Sequence, residues 1–154
     1  MTKVRIDWVN FHHACFHTAR KVKEKHEHIN TIVALARGGL VPARIMAEYI
    51  KPDNFYVMGV SLYDNDKRGE AIRVYQELPM DMHGNRDDST LVIDDISDGG
   101  TTLHFVCNQI KAKNSKAKLL TATPYIKTGT KFIPDFYVTE FPKDKWIVFP
   151  FEEP

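Results

Sequence analysis

Thr90-Leu91-Val92-Ile93-Asp94-Asp95-Ile96-Ser97-Asp98-Gly99-Gly100-Thr101-Thr102 runs from four residues of strand character into three carboxylates, two glycines and two threonines. The apolar run is short enough for a strand, and its lack of polar alternation marks a strand covered on both faces. Residues 101–113 then read as a helix. Strand, acidic loop and helix together form the repeating unit of a parallel α/β sheet.

The same unit occurs upstream. Thr31-Ile32-Val33-Ala34-Leu35-Ala36 ends in Arg37-Gly38-Gly39, and residues 41–49 read as a helix with Pro42 in its first turn. Before it, Asp7 is positioned as the N-cap of a helix reaching about His26, with Val9, Ala14, Phe16, Ala19 and Val22 at helical spacing. Residues 55–63 and 72–75 are rich in β-formers, whereas residues 64–70 and 81–89 are polar and read as loops. Residues 118–123 and 136–139 complete the strands. The 154 residues, 43% of them hydrophobic, suit one compact domain. The fold class is α/β, a single-domain parallel sheet flanked by helices.

In such a sheet ligands bind at the carboxyl ends of the strands, so the loops beginning at Arg37 and Asp94 should open on one edge. Gly99 and Gly100 allow close backbone approach, and the amides at the start of the following helix favour an anion such as a phosphate monoester. Adjacent Asp94 and Asp95 call for a cation or hydroxyl donors to share their charge. An EF-hand would need an oxygen ligand where Ile96 stands and a glutamate where Phe105 stands. Neither a Walker phosphate loop nor a dinucleotide Gly-x-Gly-x-x-Gly string occurs.

Composition removes other classes. Lys+Arg 21 against Asp+Glu 20 gives a net charge of +1, so no global field marks a nucleic-acid binder. Cys15 and Cys107 lack metal or redox spacing and read as small core residues. Histidines 12, 13, 17, 26 and 28 cluster early without an accompanying metalloprotease carboxylate and read as structural. No run approaches the roughly 18 apolar residues of a membrane span, and the N-terminus has no signal core, so a cytoplasmic location is expected.

The string 91–102 resembles the phosphoribosyl pyrophosphate signature of type I phosphoribosyltransferases. Within that family the chain is most similar to the bacterial xanthine-guanine enzymes, through residues 36–42, Tyr63-Asp64-Asn65-Asp66, the acidic loop, Lys127 and Trp146-Ile147. The resemblance implies transfer of a 5-phosphoribosyl group to guanine, xanthine or hypoxanthine in purine salvage, with Mg2+ as cofactor and a homodimer or homotetramer as assembly. It implies that Arg37, Gly38 and Gly39 hold pyrophosphate under a loop from Asp64 to Arg73 whose cation is Arg68. Asp94 and Asp95 would bind the ribose hydroxyls, with Asp95 also facing the metal, while Asp98, Gly99, Gly100, Thr101 and Thr102 wrap the 5-phosphate. Asp98 would also be the acid/base at purine N7. A small C-terminal hood would bind the base, with Lys127 on the 6-oxo group, Trp146 on the ring and the Ile147 backbone at position 2. Read without the family, Lys127 is a solvated loop lysine and Trp146 a packing aromatic.

The chain departs from the family at Gly99, where a threonine is usual, and at Thr101, where glycine or lysine is usual. Its end, Phe151-Glu152-Glu153-Pro154, is shorter than that of the bacterial purine enzymes, and 148–151 is more apolar. Two rival functions are a non-catalytic regulator that senses phosphoribosyl pyrophosphate, which would need a basic face or added DNA-binding segment, and a transferase for another base.

Overall fold

The computed structural model describes residues 1–65, 69–80, 82 and 88–152. Its elements are β1 (Thr2–Arg5), α1 (Trp8–Lys25), β2 (Thr31–Ala36), α2 (Leu40–Ile50), β3 (Asn54–Asn65), β4 (Gly69–Gln76), β5 (Ser89–Ile93), β6 (Ile96–Ser97), α3 (Thr101–Lys113), β7 (Lys118–Ala122), β8 (Tyr125–Lys127), β9 (Thr139–Phe141) and β10 (Lys145–Val148). The main sheet has the order β4-β3-β2-β5-β7. Its inner strands alternate between two cores: Ile32, Ala34, Leu91 and Ile93 face α1 and α2, while Val33, Leu35 and Val92 face Leu103, Val106 and Ile110 of α3. Coverage of both faces is what the unbroken apolar run of β5 requires.

From β2 the chain crosses through α2 to β3 on one side, and from β5 it crosses through α3 to β7 on the other. Because these connections leave in opposite directions, the carboxyl ends of β2 and β5 flank an open crevice, the usual ligand position in such sheets. Arg37-Gly38-Gly39 follows β2 and Asp94-Asp95 follows β5, so both loops meet there.

Asp7 caps α1 as its position suggests, its carboxylate accepting from the Asn10 N–H at 2.7 Å. The buried face differs from the expected one. Phe11, Ala14, Cys15, Thr18, Ala19 and Val22 face inward, whereas Val9 and Phe16 are 64% and 40% exposed. Phe11 supplies the anchor missing from the expected stripe by packing on Tyr125, Phe149 and Phe151. Cys15 and Cys107 are buried free thiols.

The sheet is not wholly parallel, because β4 pairs antiparallel with β3. Their hairpin incorporates Asp64, Asn65, Gly69 and Glu70, expected as loop, into strands; Arg68 lies outside the described residues. Most of 81–89 also lies outside them, while Ser89 starts β5. The strand expected at 136–139 is reduced to a single bridge from Phe136 to Ala122, because the regular pairing belongs to Thr139–Phe141 on β8. Parallel sheets β6-β8-β9 and β1-β10 form the C-terminal hood, with Val4 opposite Ile147. Among the described residues no helix is long and apolar enough to cross a membrane.

Candidate active site

The acidic loop is held by its own backbone. Asp94 accepts from the Asp95 N–H at 2.9 Å and Asp95 from the Ile96 N–H at 2.7 Å, which fixes both carboxylates at the end of β5. Burial, then repulsion from Asp95, pushes the Asp94 carboxyl well above the ordinary carboxylate range. Burial also pushes Asp95 up to about 6, with the nearby Glu152 charge adding to the rise. Two close carboxylates without a cation favour retention of a proton.

The glycines place the two loops in contact. A Cβ on Gly38 would lie 2.3 Å from an Asp95 carboxylate oxygen, and one on Gly39 would lie 2.5 Å from the Ile93 carbonyl oxygen. Gly100 caps α3 at φ +85°, where a Cβ would meet the Phe132 backbone nitrogen at 2.5 Å. A Cβ on Gly99 would meet only the Thr101 hydroxyl, at 3.9 Å, so the fold leaves room for a side chain there. Ser97 donates to the Phe132 carbonyl at 2.7 Å and thereby fastens the acidic loop to the loop beyond β8.

Three adjoining hollows form the crevice. The first is lined by Asp94 and by residues 96–103 with Leu62. The second, of about 1080 Å³, includes Arg37, Gly38, Asp94, Asp95 and Thr102 and has room for a nucleotide-sized ligand. The third joins Asp95 and Asp98 to Lys127, Trp146 and Ile147. Asp94 and Thr102 separate the first hollow from the second, Asp95 and Glu152 the second from the third, and Ile96 and Asp98 the first from the third. The crevice thus gathers Arg37, Gly38, Asp94, Asp95, Asp98, Gly99, Gly100, Thr101, Thr102, Lys127, Trp146 and Ile147, while Gly39 supports it from α2's N-cap and Arg68 lies outside the described residues.

Lys127 corrects the loop placement, since it ends β8 and is 5% exposed. Its Nζ lies 3.2 Å from the Asp98 carboxylate and 6.0 Å from the Trp146 ring centroid. A buried ammonium is retained when it is paired, and the Asp98 side chain, 60% exposed, brings that pair to the cavity. Trp146 stands 52% exposed beside it.

Of Ser61, Arg73, Tyr75 and Glu152, sequence reading placed only Arg73 near the site, as the end of the covering loop and without a role of its own. The first three line the main hollow from the β3–β4 hairpin, and Glu152 lines both that hollow and the one holding Lys127. Glu152 accepts from the Phe149 N–H at 2.9 Å, while Phe149 and Phe151 stack 5.4 Å apart and pack on Phe11. The apolar character of 148–151 was the available signal, because it marks an anchor directly preceding a carboxylate.

A phosphoribosyl transferase domain matches residues 7–154. Xanthine-guanine phosphoribosyltransferase of Desulfotalea psychrophila is 32% identical over 148 residues, covering 96% of this chain and 84% of that protein. Its namesake from Idiomarina loihiensis is 29% identical over 147 residues, with 96% and 85% covered. The crystal structure of purine phosphoribosyltransferase from Pyrococcus horikoshii superposes with a TM-score of 0.82 at 32% identity, covering 100% of this chain and 97% of the other. With the domain matched over nearly its whole length, the chain belongs to the type I phosphoribosyltransferase family and is a transferase enzyme.

Proposed function

We propose that the protein transfers the 5-phosphoribosyl group from phosphoribosyl pyrophosphate to guanine, xanthine or hypoxanthine in purine salvage, releasing pyrophosphate and the nucleoside monophosphate. The names of the two curated relatives and of the Pyrococcus structure, each near 30% identity, support the purine class. A cytoplasmic homodimer or homotetramer belongs to the same reading.

The observation that carries it is the buried Lys127 next to Asp98 beneath Trp146. A 6-oxopurine presents its carbonyl oxygen beside N7. Lys127 donates to that oxygen while Asp98 accepts the N7 proton, as the N9 lone pair attacks the anomeric carbon and the C–O bond to pyrophosphate breaks. A 6-amino group would instead direct N–H donors at the ammonium, so adenine is disfavoured. Trp146 offers an exposed ring face for stacking, and the Ile147 backbone reads position 2.

Asp94 and Asp95 accept the ribose hydroxyls, whose donors relieve the crowding of two buried carboxylates. Asp98, Gly99, Gly100, Thr101 and Thr102 surround the 5-phosphate at the N-terminus of α3. Arg37, with the Gly38 amide, receives pyrophosphate, Gly39 holds the turn through its N–H bond to the Leu35 carbonyl at 2.8 Å, and Arg68 supplies the covering cation.

Magnesium fits the donor set. Asp95 belongs to a buried carboxylate pair whose protons burial holds on, and among the described residues no group of three His, Cys, Asp or Glu is placed to hold a metal, so substrate oxygens would complete the shell. Mg2+ suits one or two carboxylates plus substrate phosphates, and when bound it neutralises charge on the departing pyrophosphate.

The test offers guanine, xanthine, hypoxanthine, adenine, uracil and orotate separately with Mg2+ and phosphoribosyl pyrophosphate, and measures pyrophosphate release. Turnover is expected with a 6-oxopurine; failure with all three rejects the reading. Asp98→Asn should lower kcat on the order of 10²- to 10⁴-fold while sparing phosphoribosyl pyrophosphate binding. Unchanged kcat would remove Asp98 from proton transfer.

A further inference from the structure

The main hollow carries a second arginine, Arg73, which the sequence reading placed at the end of the covering loop without giving it a role. Arg73 lies on β4 opposite Ser61 of β3, and both line the hollow that holds Arg37, Gly38, Asp94 and Asp95. Arg73 is exposed and forms no hydrogen bond or ion pair with any described residue. It stands as a cation on the wall of a polar cleft, across from the carboxylates that line the same hollow.

The surrounding hairpin fixes that wall. Tyr75 lies two residues along β4, on the same side as Arg73, and its hydroxyl donates to the Ala36 carbonyl at 3.1 Å. A Cβ on Gly59 would lie 2.3 Å from the Tyr75 ring, so glycine at 59 leaves the space that the ring occupies. Tyr75 thus ties β4 to the turn that presents Arg37. Arg73 belongs to the hollow of Arg37 and Gly38 and not to the hollow lined by Asp98, Gly99, Gly100 and Thr101, which places it at the end away from the 5-phosphate.

We propose that Arg73 binds the diphosphate of phosphoribosyl pyrophosphate together with Arg37 and remains on the pyrophosphate as it leaves. This rests on the transfer reaction proposed above. A guanidinium suits the role because its planar fork grips phosphate oxygens bidentately. The strand fixes only where Arg73 leaves the backbone, so its side chain alone has to be ordered when the substrate arrives.

The test compares Arg73→Ala and Arg73→Lys with the wild type, measuring KM for each substrate and calorimetric binding of magnesium pyrophosphate without base. Arg73→Ala should raise KM for phosphoribosyl pyrophosphate and Kd for pyrophosphate roughly ten- to hundredfold, keep the base KM within about twofold, and leave the melting temperature in place. Arg73→Lys should recover part of the loss. Unchanged pyrophosphate affinity in Arg73→Ala overturns the assignment, as does an equal rise in both substrates' KM with a lowered melting temperature. If the wild type makes no nucleotide from any 6-oxopurine, the transfer reading falls, while the base-free pyrophosphate measurement still decides the role of Arg73.

Discussion

The acidic loop and the hood supply the two ends of one crevice, but they are built differently. In the loop, residues 91–102 create their own geometry: β5 delivers the carboxylates, the Asp95 and Ile96 amides orient them, and Gly100 turns the chain into α3. The hood has no comparable local logic. Its β1-β10 sheet joins the first strand to the last, and its aromatic interior combines Phe11 of α1 with Tyr125, Phe149 and Phe151. A phosphate site can therefore sit within one continuous segment, whereas a pocket shaped around a base draws on segments distant in the chain.

The largest expected effect breaks the hood at the residue that joins its parts. Phe11 is fully buried against the other three rings, so Phe11→Ala should cost about 3–5 kcal/mol, read from the denaturation midpoint. In protein that remains folded, KM for the base should rise more than KM for phosphoribosyl pyrophosphate, because β8 and the residue 149–151 segment lose their shared support. Equal increases would show that the hood and the acidic loop depend on the same packing.

This division explains what was legible in the sequence. The span of α3 and both glycine-bearing loops followed from local chemistry, since an apolar strand, a turn and a helix leave their signatures within about fifteen residues. β1 and β10 did not, because a short edge strand acquires meaning only from its partner, here more than a hundred residues away. The β3–β4 hairpin was read as loop at its tip because Asp64, Asn65, Gly69 and Glu70 are poor β-formers that pairing nevertheless draws into the strands. Arg73 was read as the end of the covering loop and given no role for the same reason: only the antiparallel return of β4 brings it to the cleft. Lys127 illustrates the mixed case, its role implied by family resemblance and its burial evident only in the folded hood.

A second expectation sharpens the loop side through pH. The Asp95 carboxyl is raised from 3.8 to about 6 in the folded protein, so the native state holds its proton more tightly than the unfolded chain. Stability from this group is therefore fully present below about 4 and lost as pH rises through about 6, by up to about 3 kcal/mol. Chemical denaturation in chelator should show Asp95→Asn losing this part of the decline, and the variant should be more stable than the wild type near pH 7.5. Binding of magnesium with phosphoribosyl pyrophosphate has the opposite dependence. It needs the ionised carboxylate, so it should weaken as pH falls below about 6 and release protons to the buffer there. Parallel stability curves for the two proteins would show that Asp95 ionises as freely in the fold as in the unfolded chain.

The smallest effects separate two neighbouring glycines within the loop itself. Gly100 combines φ +85° with a Cβ position 2.5 Å from the Phe132 nitrogen, so Gly100→Ala should cost about 1–3 kcal/mol and displace the N-terminus of α3. Gly99 has neither constraint, so Gly99→Ala should change stability by less than about 0.5 kcal/mol. Gly99→Thr then asks whether the open space can be used. Its hydroxyl would stand near the Thr101 hydroxyl at the mouth of the hollow assigned to the 5-phosphate, and one added charge-assisted hydrogen bond is worth about 1.5 kcal/mol or somewhat more. Ribose 5-phosphate should bind about tenfold more tightly to this variant, with pyrophosphate affinity unchanged because Arg37 and Gly38 lie in the adjoining hollow. If both affinities moved together, the two hollows would share more of their geometry than their separate linings imply, and the acidic loop would act as one rigid cradle.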